Sequence, residues 1–270
     1  MKVVTVSNFK GGVGKTTVTY NLAYSLSQRG EKVLLIDLDP QGTLSFWLRS
    51  ETGEPIKNLA KSEQRSLANV LIPKEIGVER ADLTDVTFKT RWENVDIVPS
   101  YLILQKAKDA ILNNPFALTY AIDDLKDLYD FVIVDTRPDL DNKTTNAFAA
   151  ANYIILPVRC DGAMQEGLIE SLDAIKETCT ELRIGNKKTK VLASMVKERT
   201  TRDVVGKQLL ETAFKNNGLF KSCIHDTTKL GEASMAGKSL DEYTTRKTER
   251  RVVDDFEALT DEFLEWVECA

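Results

Sequence analysis

The sequence predicts an α/β fold: a doubly wound, mostly parallel sheet flanked by helices. Three observations predict it. Short apolar, β-branched runs of buried-strand length recur along the chain. Segments of helical periodicity lie between several of them, which implies right-handed crossovers joining parallel strands. Two runs end in acidic residues and a third runs into a glycine-rich turn, as expected where ligands sit at the carboxyl ends of parallel strands.

Taken in chain order, KVVTVS (2–7) is the first strand run. Residues 16–28 (TTVTYNLAYSLSQ) follow with Val18, Leu22 and Leu26 at a spacing of four, one face of a helix. KVLLIDLD (32–39) is the second strand run. Segment 50–94 is more polar, with a short helical patch at SLANVLI (66–72), and reads as connecting structure. VDIVPS (95–100), FVIVDT (131–136), YIILPV (153–158) and KVLASMV (190–196) supply further strands, with helical patterns around 102–113, 116–127 and 163–182. Residues 246–251 read as helical. The tail DDFEALTDEFLEWVECA carries an apolar stripe of Phe256, Leu259, Phe263 and Trp266 or Val267, expected to pack on the domain. A chain of 270 residues can bury a sizeable core, and residues 1–270 are expected to form a single domain.

Composition narrows the function classes. The chain is 42% hydrophobic and 29% charged, an ordinary soluble balance. It has no apolar run of membrane-spanning length and no signal-peptide pattern, so a cytoplasmic protein is expected. Cys160, Cys179, Cys223 and Cys269 are widely spaced, His225 is the single histidine, and zinc-ligand spacing is absent. The net charge of −5 is unevenly spread: residues 183–251 hold 16 Lys/Arg against 8 Asp/Glu, whereas residues 252–270 hold 7 acidic residues and no basic one.

The glycine-rich turn KGGVGKTT (10–17) departs from the usual phosphate-cradling pattern G-x-x-x-x-G-K-[ST] at its first position, where Phe9 stands; Gly14, Lys15 and Thr16 satisfy the rest. Strand, turn and helix bring backbone N–H groups and a positive helix end to one point, which suits a polyphosphate. Gly11, Gly12, Val13 and Gly14 form the cradle, with Thr17 closing the motif. Lys15 is placed to reach the β- and γ-phosphates and Thr16 to ligate Mg²⁺, so a nucleotide polyphosphate with Mg²⁺ is the expected ligand. Asp135, ending FVIVD, is positioned to hold a Mg²⁺-bound water. Asp37 and Asp39, in D-L-D-P-Q-G, share one side of an extended chain. One lysine suffices for one nucleotide, so Lys10 is unexplained by this geometry.

The run K-G-G-V-G-K-T-T resembles the deviant Walker A motif of the ParA/MinD family of P-loop ATPases. KGGVGKTT, DLDPQG, VDIVPS, FVIVDTRP, NAFAAANYIILPV, the EG of 166–167 and KLGEASMAGKS (229–239) follow the order seen in small, Soj-like ParA partition ATPases. The resemblance implies that Lys10 crosses a dimer interface to phosphates held by the partner, that Asp39 positions the attacking water, and that Thr16, Asp39 and Asp135 serve the metal. Lys10, Lys15 and Asp39 are then the catalytic set. It further implies an ATP-dependent homodimer, nonspecific DNA binding with nucleoid association, and a centromere-binding ParB-like adaptor that stimulates hydrolysis. The chain enters its first strand directly, so no N-terminal operator-binding domain is expected.

The alternative is a MinD-like membrane-associated regulator, which needs basic residues on an amphipathic tail. A redox ATPase resembling the nitrogenase iron protein and a tyrosine autokinase need cluster cysteines and a tyrosine-rich tail. Two departures from the family pattern stand out: Arg137-Pro138 replaces a usual pair of prolines, and His225-Asp226 stands where Pro-Arg is common. Candidate DNA contacts are Lys197, Arg199, Arg202 and Lys207, then Lys229, then Arg246, Lys247, Arg250 and Arg251.

Overall fold

The computed structural model describes residues 1–108, 114–161, 164–197, 200–214, 217–244 and 250–269. An eight-stranded sheet is at its centre, in the order β3-β4-β2-β5-β1-β6-β7-β8. The strands are β1 (Lys2–Val6), β2 (Val33–Asp37), β3 (Phe88–Lys89), β4 (Val95–Val98), β5 (Phe131–Asp135), β6 (Tyr153–Arg159), β7 (Lys188–Val196) and β8 (Leu219–His225). Every pairing is parallel except that of β3 with β4. The doubly wound, mostly parallel architecture is therefore as the sequence predicts.

The helices are α1 (Lys15–Gln28), α2 (Thr43–Trp47), α3 (Ile56–Ser62), α4 (Leu67–Leu71), α5 (Pro73–Ile76), α6 (Ala117–Asp123), α7 (Asn142–Ala150), α8 (Met164–Glu181), α9 (Thr201–Ala213), α10 (Thr228–Ala236), α11 (Leu240–Tyr243) and α12 (Arg251–Glu268). They cover both faces. Alternation along each strand decides which residue goes where. Val4 and Val6 of β1, with Val33 and Leu35 of β2, join α1, α2, α10 and α12 in one core. Val3, Leu34 and Ile36 point the other way and pack with α4, α6 and α7. Leu156, Val158 and Ala193 extend that second layer beneath α8 and α9. On α1 the expected face of Val18, Leu22 and Leu26 is buried.

Four elements differ from expectation. The pattern at 102–113 is a 3₁₀ helix over Leu102–Lys108; residues 109–113 lie outside the described residues. The helix expected through 246–251 begins at Arg251, with Arg250 as its N-cap, and residues 245–249 are likewise outside the description. β3 and β8 carry no long apolar run. β3 is a two-residue edge strand, and β8 (LFKSCIH) alternates polar and apolar residues at the other edge. The tail stripe packs as expected: Phe256, Leu259, Phe263 and Val267 are buried on α12, and the Trp266 ring lies edge-on to Phe220 of β8.

Candidate functional site

Strand register assembles the site. Asp135 of β5 lies level with Val6 of β1 on one side and with Asp37 of β2 on the other. β1 is the point of reversal in the sheet: β2 is reached on one side of it and β6 on the other, so the loop after β1 opens into the crevice at the strand ends.

That loop is fixed from below. The Asn8 side chain donates to Pro157 O at 2.9 Å and accepts from Lys10 N at 2.8 Å, and Phe9 N donates to Ser171 Oγ at 3.1 Å. Gly14 precedes α1 with φ 90°, and a Cβ there would lie 2.9 Å from Ser194 Oγ, so glycine is required twice over. Gly11 and Gly12 face open space. α1 starts without a side-chain cap and without an acidic residue in its first turn. Its leading N–H groups are thus unclaimed by side chains and carry the positive end of the helix dipole. Uncapped backbone donors at a positive helix end fit a phosphate.

Lys15 turns back over the loop and donates to Asn8 O at 2.9 Å and Lys10 O at 3.2 Å. Burial lowers its pKa, against the opposing pull of Asp135, Asp39 and Asp139. Thr16 Oγ1 donates to Asp135 Oδ2 at 2.7 Å, and Thr19 Oγ1 reaches Asp135 Oδ1 at 3.3 Å. The Asp135 carboxyl is pushed up to about 8, by burial first and by Asp37 second, with the Thr16 hydrogen bond opposing. Among the described residues no group of three or more His, Cys, Asp or Glu is arranged to hold a metal. A hydroxyl beside one buried carboxylate suits Mg²⁺ instead, which takes few protein ligands and keeps phosphate and water oxygens.

The D-x-D pair divides its work. Asp37 is fully buried, which drives its carboxyl up to about 7. Its Oδ2 accepts from Ser45 N at 2.9 Å and Ser45 Oγ at 2.7 Å, and its Oδ1 accepts from Asp39 N at 3.1 Å. Ser45 Oγ in turn accepts from Ser100 N at 2.9 Å. Asp37 is therefore an anchor for the loop that carries Asp39. Asp39 is partly exposed, and its Oδ1 accepts from Gln41 N at 2.9 Å. Gly42 closes this loop at φ 62°, where a Cβ would meet Ser100 O at 2.3 Å.

Lys10 stands at the rim. Its ammonium pairs with Asp161 at 2.6 Å. Gly167 allows α8 to approach, since a Cβ there would lie 3.0 Å from Lys10 Cβ. Asn8, Ser45 and Asp161 were not candidates on sequence. Asp161 follows the end of β6 as Asp135 ends β5, and that placement is the signal that could have found it.

Among the described residues, the basic candidates do not form one patch of unpaired cations. Lys197 pairs with Asp226 at 3.0 Å, Arg202 with Asp203 at 3.4 Å and Lys229 with Glu232 at 2.9 Å. Lys207 Nζ approaches Cys223 Sγ at 3.7 Å and Arg250 pairs with Asp241 at 3.0 Å. His225 is bracketed, Nδ1 by Asp255 at 2.8 Å and Nε2 by Arg251 at 2.8 Å. Arg199, Arg246 and Lys247 lie outside the described residues.

A family model described as an AAA domain matches residues 1–190. The chain is 30% identical over 250 residues to the sporulation initiation inhibitor protein Soj of Bacillus subtilis, covering 91% of this chain and 92% of that protein. It is 30% identical over 247 residues to the chromosome-partitioning ATPase Soj of Treponema pallidum, covering 90% of each. Among solved structures, an ATP complex of McdA from Cyanothece shares the fold with a TM-score of 0.79 at 22% identity, over 96% of each chain.

Proposed function

The chain belongs to the ParA/MinD family of P-loop ATPases, among its small Soj-like members, and from that premise we propose that it is a DNA-segregation ATPase whose ATP-bound homodimer holds DNA without regard to sequence. The observation that carries this reading is the division of labour between two lysines on one loop. Lys15 is buried inside the cradle. Lys10 stands at the rim, partly exposed. One loop serves one triphosphate, and the inner lysine already fills that role. The outer lysine is available to a phosphate held by a second copy of the chain.

In the proposed cycle Lys15 and the N–H groups of Gly11 to Thr17 hold the phosphates of ATP, and Thr16 with Asp135 holds Mg²⁺. The metal would neutralise charge on the phosphate oxygens. Asp39 orients a water for in-line attack on the γ-phosphorus, with catalysis resting on positioning and electrostatics. Asp37 keeps the Asp39 loop in place. Lys10 leaves Asp161 and reaches the partner's phosphates, which makes dimerisation depend on ATP. The dimer doubles the basic stretch of residues 183–251, and a ParB-like adaptor resets the cycle by stimulating hydrolysis. The Soj of Treponema pallidum is a chromosome-partitioning ATPase by name, which supports the assignment. The protein is expected to work in the cytoplasm, on the nucleoid when ATP-bound.

Sedimentation with ADP, with ATP and with ATP plus duplex DNA tests the proposal. ATP should produce a dimer, and only the dimer should bind DNA, without sequence preference. A wild-type protein that stays monomeric in ATP, or that binds DNA equally without nucleotide, would remove the partition reading.

A further inference from the structure

The loop that joins β5 to α7 carries a charge that the proposed cycle leaves unused. Arg137 follows Asp135 by two residues. The chain between them is pinned, because Thr136 Oγ1 donates to Val6 O at 3.0 Å. The far side of the loop is pinned as well: Thr144 Oγ1 donates to Asp139 O at 2.7 Å, and the Asp141 side chain caps α7 through Lys143 N and Thr144 N. Arg137 therefore sits on a short, tethered span beside the proposed metal carboxylate.

Its guanidinium is only partly satisfied. One terminal nitrogen pairs with Asp139 Oδ2 at 2.7 Å, and half of the Asp139 side chain is exposed. Nε is buried and has no hydrogen-bond partner among the described residues. A buried donor without an acceptor is a standing cost, and an exposed ion pair is weak compensation. The location of this incomplete group matters. The charge of Asp139 also raises the Lys15 pKa, after Asp135 and Asp39, so it is felt at the glycine-rich loop. Arg137, in contact with that carboxylate, belongs to the same cluster of charge.

We propose that Arg137 is a further catalytic residue of this site, held on Asp139 in the nucleotide-free chain and transferred to the γ-phosphoryl oxygens when ATP binds. The inference rests on the nucleotide reading above. The guanidinium fork offers Nε and a terminal nitrogen together, which matches two oxygens of a phosphoryl group. In the reaction the water oxygen forms a bond to the γ-phosphorus while the bond from that phosphorus to the β,γ-bridging oxygen breaks. Both water protons leave with inorganic phosphate as dihydrogen phosphate, and ADP keeps the bridging oxygen with the electron pair of the broken bond. Arg137 makes no covalent bond and gives up no proton. It donates hydrogen bonds to the γ-phosphoryl oxygens as charge redistributes, the role an arginine plays when supplied in cis to a phosphoryl-transfer site. The same contact distinguishes ATP from ADP and couples the tethered 136–141 loop to α7.

The test compares wild type, Arg137→Ala, Arg137→Lys and Asp139→Asn. Calorimetry gives the affinities for ADP and for a non-hydrolysable ATP analogue, steady-state turnover gives kcat, and thermal melting checks the fold. Arg137→Ala should keep ADP affinity and melting temperature, yet lose about tenfold in its preference for the analogue over ADP, the worth of a charge-assisted hydrogen bond. Its kcat should fall by about a hundredfold or more. Arg137→Lys should recover only part of the loss, because a point charge lacks the fork. Asp139→Asn should shift the preference the opposite way, toward the analogue, because it removes the competing carboxylate. An unchanged analogue-to-ADP ratio in Arg137→Ala overturns the proposal. So does a parallel loss of ADP affinity and stability, which marks a structural role, or a fall in analogue preference in Asp139→Asn. A wild-type chain that binds neither nucleotide instead refutes the nucleotide reading itself.

Discussion

Lys10 and Lys15 lie five residues apart and meet different surroundings. Lys15 donates to two loop carbonyls, whereas Lys10 is matched to Asp161 across the chain. Lys15→Ala should abolish ATP binding, because the cradle loses its central cation. Lys10→Ala should bind ATP normally and remain monomeric. Equilibrium binding and sedimentation read the two outcomes separately, and an ATP-dependent Lys10→Ala dimer would end the role given to that residue. The buried carboxylates make a second prediction. Asp37 and Asp135 have raised pKa values in the folded chain, so the folded state holds protons that the unfolded state releases. Their contribution to stability is fully present below about pH 4, the ordinary carboxylate range, and is lost as pH rises through both folded values. The nucleotide-free protein should melt at a lower temperature near about pH 9 than near about pH 6, and Asp135→Asn should flatten the difference. A melting temperature that climbs over that interval would contradict the burial argument.

At the level of elements, the loop from β2 to α2 shows how backbone and side chain hold one carboxylate. Gly42 N donates to Asp39 O at 2.8 Å, and Gly42 alone tolerates the close approach of Ser100 O at positive φ. Gly42→Ala should cost about 1–3 kcal/mol in stability. It should also lower kcat more than nucleotide affinity, because the loop presents Asp39 and not the cradle. α12 illustrates the opposite case, an element fixed by packing. Phe263 is fully buried, its ring 5.5 Å from Phe131 of β5. Phe263→Ala should cost about 3–5 kcal/mol in denaturant unfolding, the range for a large core side chain. A loss below about 1 kcal/mol would show that α12 is not part of the core. The edge strands β3 and β8 were not legible, because an edge is half solvated and its residues need not be uniformly apolar.

For the molecule as a whole, the question is how a chain with net charge −5 could hold DNA. Surface charge acts locally, within about a Debye length of 8–10 Å, so a basic stretch can bind while the acidic tail lies elsewhere. Several of its cations are already paired with carboxylates, and a DNA phosphate must displace those partners. Replacing Arg246, Lys247, Arg250 and Arg251 together by Ala should weaken ATP-dependent DNA binding and flatten its salt dependence while leaving dimerisation intact. Binding measured across a salt series checks this, and unchanged affinity would move the contact to Lys197, Arg202 and Lys207.

The sequence by itself determined the fold class, the succession of its main strands along the chain, the glycine-rich turn from Gly11 to Thr17, the acidic strand ends Asp37 and Asp135, and Asp39 just beyond the first of them. Each of these is written in a short stretch: a β-branched run, a glycine-lysine turn, a carboxylate closing a strand. Only the tertiary structure decided that Asp161 meets Lys10 across 151 residues, that Asp37 anchors the Asp39 loop through Ser45, and that Arg137 pairs with Asp139 beside the Asp135 strand end. Those relations depend on strand register and on how near two loops from distant strands come. Local pattern carries neither, because burial and partner distance are properties of the packed sheet.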